Sequence, residues 1–309
     1  MRALPRLFCL DTVMIDVVMR IASVPERGSD ILASEHLLAV GGGFNAMSSF
    51  ARQGAQAVYA GKLGTGPFSE IARAALAREE IDVPIELATT LDAGFCVALI
   101  DDEGERTFIT AAGAEGTLRA HDLEQLSPAN GDVVLVSGYN VMYPGQADIV
   151  LAWLMALSPD IVVAFDPSNR VDDIPIENLG AMLLRADWTL CNEIEASSLS
   201  GEESLDDSVV ALLTLTGRRG VVVRHGATGC TIARPGQAVM GVQGVPTEVV
   251  DTNGAGDTHS GVFLAELSRG TKVYEAALRA NAAASSAIAT LGPATCPTRD
   301  AVSAAIEWL

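Results

Sequence analysis

Residues 249–262 read VVDTNGAGDTHSGV, a pattern suited to handling a phosphoryl group. Gly254, Ala255 and Gly256 carry little or no side chain, so the backbone there can approach a ligand closely. The apolar run that follows makes this the start of a helix, where free N–H groups and the positive end of the dipole attract an anion. Asp257 stands where such an anion would bind. One reading removes the conflict. The amides of 254–256 stabilise charge on a transferred phosphoryl group, and Asp257 takes the proton of the attacking hydroxyl. The other reading is an acid that stabilises the dipole of its own helix. Spacing alone leaves both open.

Other phosphate loops do not compete. A Walker A loop needs a lysine that GAGDTHSG lacks. Gly64-Thr65-Gly66 begins a dinucleotide-type pattern, but Ser69 stands where its third glycine or alanine should be.

The elements that must position Asp257 read as α/β. Residues 133–137, 161–165, 188–191 and 221–224 are short apolar, β-branched runs, with helical patterns at 147–157, 176–185 and 206–216 between them. This alternation predicts parallel strands joined by crossover helices, and the lack of in–out alternation predicts a sheet covered on both faces. The Ala-rich C-terminal third predicts helices at 256–269, 272–290 and 298–308, the last capped by Thr298. Residues 95–100 and 105–110 flank Asp101-Asp102-Glu103-Gly104, a hairpin signal with glycine at the turn. Strands near 12–20 and 31–38 would complete a small second sheet acting as a lid.

Composition sets the outer bounds. A chain of 309 residues, 49% hydrophobic and 19% charged, supports one large domain with a sizeable core. With 20 Lys and Arg against 39 Asp and Glu, the net charge of −19 makes nucleic acid a poor partner. Cys9, Cys96, Cys191, Cys230 and Cys296 form no C-x-x-C pair and read as free thiols. Pro5, Asp11 and Asp16 interrupt the apolar N-terminus, so no secretory signal is expected, and no apolar run is long enough to span a bilayer. A cytoplasmic location is the expectation.

Three separate stretches now carry a resemblance. Asp251-Thr252-Asn253-Gly254-Ala255-Gly256-Asp257-Thr258 resembles the C-terminal signature of the ribokinase-like, PfkB-type carbohydrate kinases. Gly41-Gly42-Gly43-Phe44-Asn45, with Gly54 and Gly64 beyond, is similar to that family's N-terminal glycine signature. Asn192-Glu193-Ile194-Glu195 looks like its N-x-x-E element. The order also agrees, and the resemblance covers roughly residues 6–305.

The resemblance implies a ribokinase-like three-layer α/β sandwich with a mostly parallel sheet. It implies one kinase domain over 1–309, its β lid built from segments near 12–40 and 94–112. It implies transfer from ATP, with Mg²⁺, to a hydroxyl, usually primary, of a sugar or sugar acid, or of a nucleoside. A non-catalytic sugar or nucleotide sensor on the same fold is the rival from another class. By the resemblance, Asp257 is the general base, and Gly254, Ala255 and Gly256 form the anion hole. Asp16, Gly42, Gly43 and Asn45 match the acceptor side, and Arg170 of Asp166-Pro167-Ser168-Asn169-Arg170 suits an anionic acceptor. Asn192, Arg224, Gly226, Gly229 and Asn281 match the nucleotide side. Glu195 matches a residue that organises Mg²⁺ indirectly, while Asp251, Asn253 and segment 287–296 match a K⁺ site. A homodimer through the lid is a further expectation.

The sequence departs from the family in places. His259 and Ser260 replace the common Phe-Asn after Asp257-Thr258, and Gly43 stands where ribokinase has lysine. Ribose therefore does not follow as the acceptor. Phe44, Phe95, Phe108 and Tyr139 are the aromatic residues placed to stack near the site, too few to favour a nucleoside.

Overall fold

A computed structural model describes residues 4–307 apart from Thr89, Gly104 and Gly217. Gly104, the glycine expected at the hairpin turn, thus lies outside the described residues, as does residue 308 of the last expected helix.

Twelve strands are found among the described residues: β1 (Leu7–Leu10), β2 (Val13–Arg20), β3 (Glu35–Gly42), β4 (Ala57–Tyr59), β5 (Phe95–Ile100), β6 (Arg106–Ala111), β7 (Val133–Ser137), β8 (Val162–Asp166), β9 (Trp188–Asn192), β10 (Gly220–Arg224), β11 (Gly229–Ala233) and β12 (Met240–Gln243). The helices are α1 (Gly43–Arg52), α2 (Pro67–Arg78), α3 (Ala120–Leu123), α4 (Gly138–Met142), α5 (Ala147–Ala156), α6 (Ile176–Arg185), α7 (Glu193–Ser200), α8 (Leu205–Thr216), α9 (Ala255–Ser268), α10 (Val273–Ile288) and α11 (Arg299–Ile306).

Eight strands form the central sheet in the order β12-β11-β10-β9-β8-β7-β1-β4. The six from β10 to β4 run parallel, and β11 and β12 pair antiparallel at one edge. Successive side chains of a strand point to opposite faces, so a sheet buried on both faces needs unbroken apolar runs. Leu7 and Cys9 of β1 accordingly join the core beneath α1, α9 and α10, while Phe8 and Leu10 join the core beneath α5 and α6. The result is a three-layer sandwich.

The four remaining strands form a separate small sheet in the order β3-β2-β5-β6. Asp16 of β2 lies opposite Ala39 and Cys96 and thus on the face they share. β3 ends at Gly42 and α1 begins at Gly43, so this sheet leads straight into a helix of the sandwich.

Behind the sandwich a buried ion network ties the last three helices together. Glu266 of α9 is fully buried, with Arg279 of α10 at 3.2 Å, Arg299 of α11 at 2.8 Å and the Thr271 hydroxyl at 2.7 Å. These donors hold its carboxyl below the usual range against the opposing effect of burial. A buried pair with one partner removed leaves an uncompensated charge. Glu266→Gln should therefore cost about 3–5 kcal/mol of stability, read as a lower urea midpoint with unchanged slope.

Candidate active site

Strand ends assemble the site. Asp11 follows the last residue of β1, and Ser137, Asp166, Asn192 and Arg224 close β7, β8, β9 and β10. The register sets Ser137 beside Asp166 and Asn192 beside Arg224, so polar groups line the C-terminal edge of the parallel sheet. Open α/β sheets bind their ligands at this edge, where strands give way to helices.

α9 starts against this row. Gly254 adopts a left-handed conformation (φ 74°), and a Cβ there would sit 3.0 Å from the Asn45 amide. Gly254 thus admits Asn45, whose Nδ2 donates to Asp257 Oδ2 at 3.0 Å. Gly261 permits the same closeness about two turns on, since a Cβ there would lie 2.4 Å from Ala46 O. The Ala255 N–H reaches Thr252 O, whereas among the described residues the Gly256 and Asp257 N–H groups meet no acceptor. The helix therefore presents two unpaired donors beside a carboxylate. Burial, then the charge of Asp166, pushes Asp257 up to about 6, against the Asn45 bond and Arg224.

Arg224 is the hub of the residues expected on the nucleotide side. Its guanidinium donates to Gly256 O at 3.0 Å, to Ser260 Oγ at 2.7 Å and to Asp166 Oδ2 at 3.2 Å, with Glu195 Oε2 at 3.7 Å. Asn192 and Glu195 cap α7 reciprocally: Glu195 N donates to Asn192 Oδ1 at 2.9 Å and Asn192 N to Glu195 Oε2 at 2.8 Å. Burial raises the Glu195 carboxyl. Gly226 and Gly229 form the turn between β10 and β11, and at Gly229 a Cβ would strike Val242 O at 2.1 Å.

The residues expected on the acceptor side gather on the glycine run. A Cβ at Gly41 would lie 2.4 Å from Asp16 Oδ2, one at Gly42 2.2 Å from Thr12 O, and one at Gly43 2.7 Å from Asp11 Cβ. Asn253 Nδ2 lies 3.4 Å from Asp16 Oδ2, so Asn253 faces this wall. Asp251 accepts from Asn253 N at 2.9 Å and Gly292 N at 3.1 Å, which draws segment 251–253 to the loop after α10.

Three residues sit differently from the sequence expectation. Asn281 spends its amide N–H groups on the Val242 and Gln243 carbonyls at 3.1 and 3.0 Å, fastening α10 to β12 rather than facing adenine. Arg170 is half exposed and paired with Asp173 at 2.6 Å, so its charge is already engaged. Asn45 spends its donor on Asp257, which makes it an orienting group for that acid. Sequence reasoning missed Asp11, Ser137, Asp166 and Ser260 as members of the site. A usable signal existed for the first three: each is the polar residue that ends an apolar strand run.

The chain matches the description "pfkB family carbohydrate kinase" over residues 4–300. It belongs to that family. Among curated relatives of the family, an uncharacterized sugar kinase, YegV, of Escherichia coli K12 is 31% identical, covering 93% of this chain and 89% of its own. An ATP-dependent ribose-1-phosphate kinase of Halopiger xanaduensis is 26% identical over 94% of both chains. Among solved structures, a putative ribokinase II from E. coli superposes with a TM-score of 0.86 at 21% identity, covering 99% of this chain and 100% of that one. An Arabidopsis thaliana ribokinase complexed with ribose and ATP gives 0.81 at 22% identity, with 99% of each chain covered. These structures establish the ribokinase fold, and family membership makes the chain an ATP-dependent phosphotransferase of the carbohydrate-kinase type.

His259, two residues after the acid, is 3% exposed, with the Asn281 side chain beside its ring. Its ring stacks on Phe263 at 6.3 Å, and burial, with Arg224 nearby, pushes its pKa down to about 3. The unfolded chain therefore binds a proton below about pH 6.5 that the folded chain refuses, so stability falls as pH drops through that window. His259→Phe should raise the melting temperature, and the gap over wild type should widen to roughly 2 kcal/mol at pH 5.

Proposed function

We propose that this chain transfers the γ-phosphoryl group of ATP to a hydroxyl, preferably primary, of a sugar-like acceptor, with Asp257 as general base. One observation carries the reading: a carboxylate aimed by Asn45 shares a helix start with two unpaired N–H groups. The acceptor O–H gives its proton to Asp257 as its oxygen attacks the γ-phosphorus. The bond from that phosphorus to the β–γ bridging oxygen breaks, and ADP leaves with the electron pair. The preorganised amides of Gly256 and Asp257 stabilise the charge that builds on the phosphoryl oxygens.

The residues fit the groups this chemistry uses. The unpaired amides and the exposed Gly226 turn suit phosphates, and Arg224 braces Asp166 and Glu195 beside them. Glu195 leaves Oε1 outside its cap and so can receive a water of a Mg²⁺ complex. Mg²⁺, when bound, neutralises charge on the β- and γ-phosphates. Segments 251–253 and 287–292, drawn together by Asp251, offer carbonyls for K⁺. Asp16 and Asn253 would hold acceptor hydroxyls beneath the small sheet, whose closure would exclude water.

Asp257→Asn should lower kcat by roughly 10²–10⁴-fold with little change in melting temperature, measured by ADP release. Survival of activity would remove Asp257 from the base role. Since the base must be ionised and its pKa lies at about 6, wild-type kcat should fall as pH drops below that value.

We further propose that the small sheet pairs two copies of the chain. β3 and β6 are its edges, and Leu37, Leu38, Phe108 and Ile109 expose 39–61% of their surface there. Light scattering at micromolar concentration should give a dimer, and Ile109→Lys a monomer. A monomeric wild type would refute the pairing.

A further inference from the structure

The acceptor wall holds a carboxylate that the proposed chemistry leaves unused. Asp11 stands at the end of β1, next to the β7 end, where Leu10 pairs with Val136 and Ser137 follows. Its Oδ1 accepts from Thr12 N at 2.7 Å, and its Cβ is the atom for which Gly43 gives up a side chain, at 2.7 Å. Asp16 stands in the same relation to Gly41, at 2.4 Å. The two carboxylates therefore straddle the glycine run, with Asn45 and Asp257 just beyond it.

Among the described residues one buried polar atom at this place lacks a partner: Asn45 Oδ1, in a residue 2% exposed. Asn45 stands beside Asp257, while the Ser137 hydroxyl hydrogen-bonds the Asp11 carboxylate. Buried acceptors normally find donors, and everything unmatched here accepts or can accept. The cations are engaged elsewhere: Arg224 by Asp166, Glu195, Gly256 O and Ser260, and Arg170 by Asp173.

We propose that Asp11 is a second acceptor-binding carboxylate, gripping a hydroxyl other than the one phosphorylated, and that the acceptor is an uncharged, hydroxyl-rich molecule. The inference rests on the kinase reading above and narrows its substrate. An acceptor carrying a carboxylate or phosphate would meet Asp11, Asp16 and Asp257, while Arg224 and Arg170 are already paired with carboxylates. Donor hydroxyls instead satisfy both carboxylates and the orphaned Asn45 oxygen. Burial, and next the charge of Asp257, pushes the Asp11 carboxyl up to about 7, against the hydrogen bonds from Ser137 and Thr12 N.

The test is ADP release with Mg²⁺-ATP and matched probes. D-ribose, D-fructose, D-glucose, ribitol and adenosine form the neutral set, and D-ribonate, D-gluconate, ribose 5-phosphate and AMP the charged set. The best neutral probe should exceed its charged partner in kcat/KM by on the order of 10²-fold. Single-deoxy analogues of that probe are then run on wild type and Asp11→Asn. One deletion, away from the phosphorylated position, should cost wild type about ten- to a hundredfold and the variant almost nothing. The variant's Kd for ADP should stay unchanged. Asp11→Ser, which keeps a polar atom near Thr12 N, serves if Asp11→Asn fails to fold.

A charged probe that equals or beats its neutral partner overturns the proposal, as does an Asp11→Asn enzyme that keeps every deoxy penalty. Silence from all neutral probes while calorimetry still detects ADP binding also overturns it and leaves the kinase reading standing. Loss of ADP binding together with silence removes the kinase reading and this inference with it.

Discussion

The close approach of α1 to α9 is the constraint on which the site depends. Two helices from opposite ends of the sequence meet backbone to backbone because Gly254 and Gly261 leave room for Asn45 and Ala46. That contact brings residues 212 positions apart into a 3.0 Å hydrogen bond and fixes the direction of the Asp257 carboxylate. Were either glycine larger, the helices would be pushed apart and the aim of the Asp257 carboxylate would be lost. Position is stringent in phosphoryl transfer, where the protein contributes mostly geometry and charge.

Charge is the second theme, and it works against stability. Asp11 and Asp257 are both pushed above the ordinary carboxylate range, first by burial and then by one another or by Asp166. Between pH 4 and 7 the folded chain thus holds protons the unfolded chain has released, and stability contributed by these groups declines as pH rises through that window. Arg224, set between Asp166 and Glu195, is the cation that keeps this congregation tolerable. The opposite sign holds at Glu266, whose arginines stabilise its ionised form far from the site. The molecule thus concentrates unfavourable electrostatics at one edge of the sheet and favourable electrostatics behind it.

Much of this was legible from the residues, for physical reasons that differ by element. The runs at 133–137 and 188–191 announced buried parallel strands because a sheet covered on both faces tolerates no polar alternation. β4 has three residues and β1 four, too short for a periodic signal. β11 and β12 were hidden because the glycine turn at 226–229 reads as a loop that could lead anywhere. The glycine punctuation around Asp257 and Asn45 was readable because glycine marks backbone that must come close to something. Asp11 and Asp166 showed only as polar residues ending apolar runs, and they join one site only because the strand order 8-7-1 sets those ends side by side. Asn281 lies on an Ala-rich helix, whose composition does not tell which face turns inward.

β3 passes into α1 without an intervening loop, Gly42 belonging to the strand and Gly43 to the helix. A tilt of the small sheet cannot be absorbed by slack chain at that seam. It must be transmitted as torque to the first turn of α1, which carries Asn45 and, through it, the Asp257 carboxylate. The small sheet and the side chain that orients Asp257 are therefore two ends of one lever.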